Sequence, residues 1–467
     1  MRILFVCSLL LSAFAAKAVT LPSVISSNMV LQQNTQVKLW GGGGPSEKIY
    51  ITNSWNGKTD STVVDNNAKW KLNISTPTAG GPYSITVKGN NTILLENVLI
   101  GEVWVCSGQS NMEFNYYAGI SQMREEFADA HKLNIRFFNI PKTTAAFPQD
   151  DCNAQWSVSD SQTLKSFSAV AFYFGKRLNQ DLNVPIGLIN ASWGGTPAEP
   201  WTPSADVTSD TVLSIAAKKL NETPWWPITP GYAYNGMLAP LTNYAVAGAI
   251  WYQGESNTGS ASSYDQLMKT LISSWRKNWN LDFPFYFVQL APFKYGNKNI
   301  AALLREAQEK TLSLHKTGMI VTSDLADDTL DIHPKNKKDV GFRLAMLALT
   351  NTYGKTVEAA KSPFYKSIEI IKDKAIISFD VTEPLLIKNA SIATVYIAGA
   401  DQLFYPAQAQ VKNDKLVAWS KKVLKPVAVR YAFSNTATAN IFTKTGMPVA
   451  PFRTDNWVVD TASENSK

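Results

Sequence analysis

Gly101-Glu102-Val103-Trp104-Val105-Cys106-Ser107-Gly108-Gln109-Ser110-Asn111-Met112 reads as a buried apolar strand that breaks into a glycine turn and presents one serine. A serine hydroxyl is a poor nucleophile at its own pKa, so nucleophilic use demands a base within hydrogen-bond reach and donors for the oxyanion that follows. The chain has three histidines to serve as that base. His131 stands in a charged, helix-like stretch and His315 near the end of an amphipathic segment, so both read as surface residues. His333 differs, because it follows Asp331 in Asp331-Ile332-His333-Pro334. In extended chain a spacing of two puts both side chains on one face, where a carboxylate can fix the imidazole tautomer. Ser110, His333 and Asp331 are therefore the expected catalytic triad.

Around that stretch, strands alternate with helical segments. Val184 to Ala191 is an apolar run ending at Ser192-Trp193-Gly194-Gly195-Thr196, and Ala245 to Tyr252 is another, ending at Gln253-Gly254-Glu255-Ser256-Asn257. A helix follows, with Tyr264, Leu267, Met268, Leu271 and Trp275 at helical spacing. Phe285 to Leu290 reads as a strand, Ile300 to about His315 as a helix and Met319 to Thr322 as a strand. A last helix is expected to open at Pro334, which suits a first helical position. Such alternation predicts an α/β fold with a parallel sheet covered by helices on both sides, and ligands then sit beyond the carboxyl ends of the strands. Ser110, Gly194, Gln253 and His333 each lie just past an apolar run, so four distant segments converge on one rim.

Either side of this region the grammar is β. Residues 19–98 hold short β-type runs such as Val37-Lys38-Leu39-Trp40 and Tyr83-Ser84-Ile85-Thr86-Val87, with turn signals at Asn56-Gly57 and Gly80-Gly81-Pro82, and predict a small sandwich. Residues 362–467 return to the same grammar as a second β module. Arg2, the apolar run Ile3 to Ala16 and Ala16-Lys17-Ala18 read as a secretory signal peptide spanning residues 1–18, cleaved near Ala18, and predict export to a periplasm or the outside of the cell. A lipobox at Cys7 leaves only six preceding residues, too few for a charged segment plus an apolar one. Without Arg2 and Lys17 the formal charge falls from +7 to +5, and the lysines are scattered, which gives nucleic-acid binding little support. With 45% hydrophobic and 17% charged residues the chain is globular, and no later stretch is long and apolar enough to span a bilayer. Cys106 and Cys152 either pair in an exported protein or stay free, and their spacing does not decide between the two.

Gly108-Gln109-Ser110-Asn111-Met112, Trp251-Tyr252-Gln253-Gly254-Glu255-Ser256-Asn257, Leu304-Arg305-Glu306-Ala307-Gln308 and Asp331-Ile332-His333-Pro334 resemble the blocks of sialate O-acetylesterases and related carbohydrate esterases of the SGNH hydrolase superfamily. Met29-Val30-Leu31-Gln32-Gln33 and Pro451-Phe452-Arg453-Thr454-Asp455 agree, so the resemblance covers nearly the whole chain after residue 18. It implies a three-layer α/β/α domain over residues 99–361 and an exported esterase that removes O-acetyl groups from glycans without metal or organic cofactor. Ser110 is similar in position to the family nucleophile, His333 to its base and Asp331 to its third member. The implied oxyanion donors are the backbone N–H of Ser110, that of Gly194 or Gly195, and the Gln253 amide, which stands where many superfamily members place asparagine.

The α/β-hydrolase elbow fits less well, because Gly-x-Ser-x-Gly needs glycine where Met112 stands. A zinc hydrolase lacks His-Glu-x-x-His. Plainer readings stand beside the sharp ones. Gly194 and Gly195 also suit a simple tight turn, Gln253 a buried structural amide and Asp331 a helix cap. Arg305 is a candidate donor to substrate or to the site wall, or else a surface partner of Glu306. An acetylxylan-type esterase and a secreted carbohydrate-binding protein with a vestigial site are the alternatives.

Overall fold

The computed structural model describes residues 18–463 apart from 359–360, 382, 389–391 and 393, so the expected signal peptide lies outside the described residues but for Ala18. Six strands open the chain: β1 (Val30–Gln32), β2 (Gln36–Gly42), β3 (Lys48–Asn53), β4 (Thr59–Val63), β5 (Lys69–Ser75) and β6 (Gly80–Lys88). β2 pairs with β5 antiparallel, β3 lies between β4 and β6, and Leu39, Ile51, Trp70, Ile85 and Val87 share one core.

β7 (Thr92–Gly108) is one continuous strand that serves two sheets. Its first part, antiparallel to β6, alternates between water and core, whereas every residue from Val98 to Gly108 is buried. That change matches a half-solvated antiparallel strand becoming the middle of a parallel sheet. The boundary expected at 98/99 therefore falls inside a strand.

The central sheet adds β8 (Ile135–Asn139), β9 (Trp156–Val158), β10 (Ile186–Ser192), β11 (Gly248–Tyr252), β12 (Phe285–Val288) and β13 (Thr317–Ile320), in the order β13-β12-β11-β7-β10-β8-β9. All pairings are parallel except that of β8 with β9. Alternation along β7 builds the layers. Val103 and Val105 face a core shared with Leu267, Leu271 and Trp275 of the helix Ala261–Trp279, while Trp104 and Cys106 face one shared with the helices Ala169–Leu182 and Lys337–Asn351. The fold is α/β, with helices on both faces of a mainly parallel sheet.

The expected helix start at Pro334 moves to Lys337, where the Asn336 side chain accepts the Asp339 N–H. His333, which would have to cap a helix opening at Pro334, turns its imidazole to Ser110 instead, and the segment stays irregular up to Asn336. Past Ser362 the described residues form two four-stranded antiparallel sheets and a short two-stranded one around a separate apolar core that includes Ile377, Ile397, Leu416 and Val429. Among the described residues no helix is long and apolar enough to cross a membrane. Cys106 and Cys152 are both buried free thiols, so the pairing left open by the sequence is not made.

Candidate active site

β7, β10 and β11 end level: Gly108 is in register with Ser192 on one side and Tyr252 on the other. The chain leaves β7 through Gly108 at φ +135°, where a Cβ would stand 2.2 Å from the Tyr252 carbonyl oxygen, so only glycine fits. The turn is stitched to both neighbours, since the Gln109 N–H donates to Tyr252 O at 3.0 Å and the Trp193 N–H to Gly108 O at 3.0 Å. Ser110 then opens a single helical turn, Ser110–Glu113. Its backbone N–H, at a helix start, has no acceptor among the described residues.

His333 arrives from the loop after β13. Its Nε2 lies 2.9 Å from Ser110 Oγ, the distance a serine–base pair requires. Phe114 stacks on the imidazole with centroids 4.3 Å apart, fixing the ring plane. Burial, and then the Lys337 ammonium, hold the His333 pKa below the ordinary imidazole value, which keeps the ring neutral and able to accept a proton. Asp331 lies beside it in a different manner from a direct carboxylate–imidazole pair. Its Oδ1 accepts the His333 backbone N–H at 2.9 Å and stands 3.8 Å from Nδ1, beyond hydrogen-bond length, while Oδ2 pairs with Lys335 at 3.0 Å. Asp331 thus holds the segment of His333 as well as its field. Against the opposing effect of partial burial, the His333 N–H and Lys335 keep the carboxyl below the usual carboxylate range.

A buried network that sequence reasoning missed joins the nucleophile turn to the histidine segment. Asn111 Nδ2 donates to Ile332 O at 3.1 Å and to Glu255 Oε1, and Asn111 Oδ1 accepts from Lys337 Nζ. One side chain therefore ties the residue after Ser110 to the residue before His333. Lys337 is fully buried, lies 5.4 Å over the Tyr252 ring, and is pushed by burial down to about 7, whereas burial pushes the Glu255 carboxyl up. Asn111 and Glu255 sat inside the quoted motifs as polar residues at strand ends. Lys337 carried no signal, being one more lysine in a lysine-rich stretch.

Gly194 packs against the serine: a Cβ on it would stand 3.3 Å from Ser110 Cβ. Its N–H donates to Glu113 Oε2 at 2.5 Å, and Glu113 Oε1 pairs with Lys142. A negatively charged oxygen already occupies that N–H. The Gly195 N–H has no acceptor among the described residues. Gln253 departs from the expected geometry. It is fully buried, and its two amide hydrogens go to Asn257 Oδ1 at 2.8 Å and Thr196 O at 3.3 Å while Tyr264 OH donates to Oε1 at 2.7 Å. Asn257 in turn bonds the buried Glu199 and the Ala198 N–H, so Gln253 belongs to a network that fixes the loop after β10 to the loop after β11.

Arg305, the candidate substrate donor, is 1% exposed and makes its hydrogen bonds to the C-terminal module. Its Nη2 donates to the carbonyls of Ser434 at 2.7 Å and Asn435 at 2.9 Å in the C-terminal module. Glu306 pairs with Lys310 and Arg453 instead of with Arg305. His131 and His315 are exposed, and His315 pairs with Asp282.

A family model described as carbohydrate esterase, sialic acid-specific acetylesterase, matches residues 100–350, the segment that carries every residue of this site. The chain is 35% identical to a solved carbohydrate acetylesterase of Xanthomonas citri, with a TM-score of 0.86 over 94% of this chain and 100% of that one. It is 28% identical over 409 residues to the sialate O-acetylesterase of Homo sapiens, covering 79% of this chain and 77% of that protein. With the mouse sialate O-acetylesterase it shares 25% identity over 439 residues, 80% of this chain and 81% of that protein.

Proposed function

Since the chain belongs to the sialic acid-specific acetylesterase family of carbohydrate esterases, we propose that it is an exported esterase that removes O-acetyl groups from sugars through Ser110, His333 and Asp331. The observation that carries this reading is the 2.9 Å approach of His333 Nε2 to Ser110 Oγ at the carboxyl rim of the sheet.

His333 Nε2 takes the Ser110 proton as Oγ attacks the acetyl carbonyl carbon. The tetrahedral oxyanion is received by the Ser110 N–H and by the N–H of Gly194 or Gly195, with Gly194 exchanging the Glu113 carboxylate for the new negative oxygen. Gln253 supports this hole by fixing the loop that carries the two glycines. Collapse of the intermediate breaks the bond to the sugar oxygen, which leaves with the proton from His333. Water, deprotonated by the same histidine, then attacks the acetyl-serine and releases acetate. Asp331 orients the His333 segment throughout and favours the imidazolium that forms in each half.

The test is acetate release by the protein lacking residues 1–18 from O-acetylated sialic acid, acetylated xylan and an aryl acetate. Ser110→Ala is expected to lose at least about 10³-fold in kcat on whichever substrates the wild type cleaves. A folded Ser110→Ala protein that still turned over would overturn the assignment, and the panel itself separates a sialate ester from a xylan ester as substrate.

A further inference from the structure

Three tryptophans gather beside the Trp193-Gly194-Gly195 turn. Trp193 Nε1 donates to the Trp225 carbonyl at 3.1 Å, which pins loop 221–230 next to the site. The Trp226 ring lies on Gly195: at φ +84° a Cβ there would stand 2.2 Å from the indole, so the turn is glycine where the ring covers it. Gly194, the next residue back, packs on Ser110. The chain of contacts thus runs from the nucleophile through two glycines to an indole. Trp225, adjacent in sequence, is 75% exposed.

An exposed tryptophan beside a half-buried one offers a ligand a large apolar face. This loop is also stiff. Pro224, Pro227 and Pro230 fix three of its ten φ angles, so the rings are presented with little entropy left to lose on binding. Its one charged residue is Glu222. An exposed indole and a half-buried one on a proline-stiffened loop next to an ester-cleaving serine match the C–H face of a pyranose ring.

We infer that Trp225 and Trp226 form a stacking subsite for the pyranose ring that bears the acetyl ester. This rests on the reading of Ser110 as nucleophile. The ester carbonyl enters over Ser110 and Gly194 while the sugar it is attached to lies across the indoles, so the subsite selects for a ring next to the ester and not for the acetyl group.

The experiment compares kcat and KM of wild type, Trp225→Ala, Trp225→Tyr and Trp226→Ala on an acetylated xylo-oligosaccharide, an O-acetylated sialoside and 4-nitrophenyl acetate. It is paired with calorimetric titration of each glycan into Ser110→Ala protein with and without Trp225→Ala. The Ala variants are expected to raise KM for the preferred glycan about tenfold, with the ratio of glycan to aryl-acetate kcat/KM falling by a similar factor. Trp225→Tyr should restore most of the loss, and Trp225→Ala should weaken glycan binding in the titration. Equal losses on glycan and aryl acetate, an unchanged glycan KM, or no glycan binding to Ser110→Ala would each overturn the subsite. If Trp226→Ala does not fold, the exposed Trp225 still decides. Aryl-acetate turnover that survives in Ser110→Ala would instead remove the nucleophile, so the two failures are distinguishable.

Discussion

Lys337 and Asp331 act on His333 with opposite sign: the buried ammonium favours the neutral ring and the carboxylate the charged one. Lys335, which also faces the pair, acts in the same sense as Lys337. Lys337 itself titrates at about 7, so over the range below that where His333 titrates it carries its charge. Lys337→Met removes a positive neighbour, His333 holds its proton to higher pH, and the acidic limb of the kcat/KM profile should move to higher pH. The same change strands Asn111 Oδ1 in the interior and should cost about 1–3 kcal/mol of stability in denaturant unfolding. A lost hydrogen bond alone would lower stability without moving the limb, so an unmoved limb rules out the electrostatic role. That Ser110 and His333 meet was legible because each stands just past an apolar run, where the loops of a parallel sheet gather on one rim. The Asn111–Glu255–Lys337 network was not, because its members are 144 and 226 residues apart and nothing in the two motifs that hold Asn111 and Glu255 points to Lys337. Gln253 shows the opposite limit: an amide in the right motif carries no record of where its hydrogens point.

The element that matters most to the site is the helix Lys337–Asn351, because its start sets how much irregular chain carries His333. Proline at 334 suits a first helical position in isolation, yet the residue that would then cap the helix, His333, is not a capping type and turns its imidazole to Ser110. The cap falls to Asn336, whose side chain accepts the Asp339 N–H at 3.1 Å. Asn336→Ala should therefore cost about 1 kcal/mol in denaturant unfolding. It should also lower kcat more than it raises KM, because the fraying helix loosens the His333 segment without touching bound substrate. A neutral change in stability would show that the Asn336 side chain does not hold the helix start. Other elements were hidden for reasons of pattern. β4, Thr-Asp-Ser-Thr-Val, has no fully buried residue and so no apolar alternation to read. The helix Ala169–Leu182 buries eight residues, seven of them in the unbroken run Ala169 to Gly175, which conceals its period.

At the scale of the molecule, the three parts foreseen in the sequence are less separable than their composition suggests. β7 runs through the first boundary as one strand, and the second is crossed by a dense polar seam. Asn435 accepts the Ala301 N–H at 3.0 Å and donates to Asn297 O, Arg453 pairs with Glu306, and the Arg305 guanidinium reaches the Ser434 and Asn435 carbonyls. Ala301, Arg305 and Glu306 all belong to the helix Ile300–Lys310. Further along it, Gln308 donates to Gln253 O at 3.1 Å and accepts the Leu290 N–H, so the C-terminal module braces the floor of the site through one helix. Such long-range seams are invisible to local pattern, which is why Arg305 read as a surface or substrate residue. Burial pushes its pKa down to about 10, and it remains a cation at neutral pH that must be solvated by those carbonyls. Arg305→Ala removes the cation together with two charge-assisted hydrogen bonds and opens a cavity in the seam. The expected cost is about 3 kcal/mol of unfolding free energy, with KM for acetylated glycans near the wild-type value in protein that remains folded. A raised KM at unchanged thermal midpoint would place Arg305 at the substrate after all, and would mean that its contacts with Ser434 and Asn435 contribute nothing to holding the module.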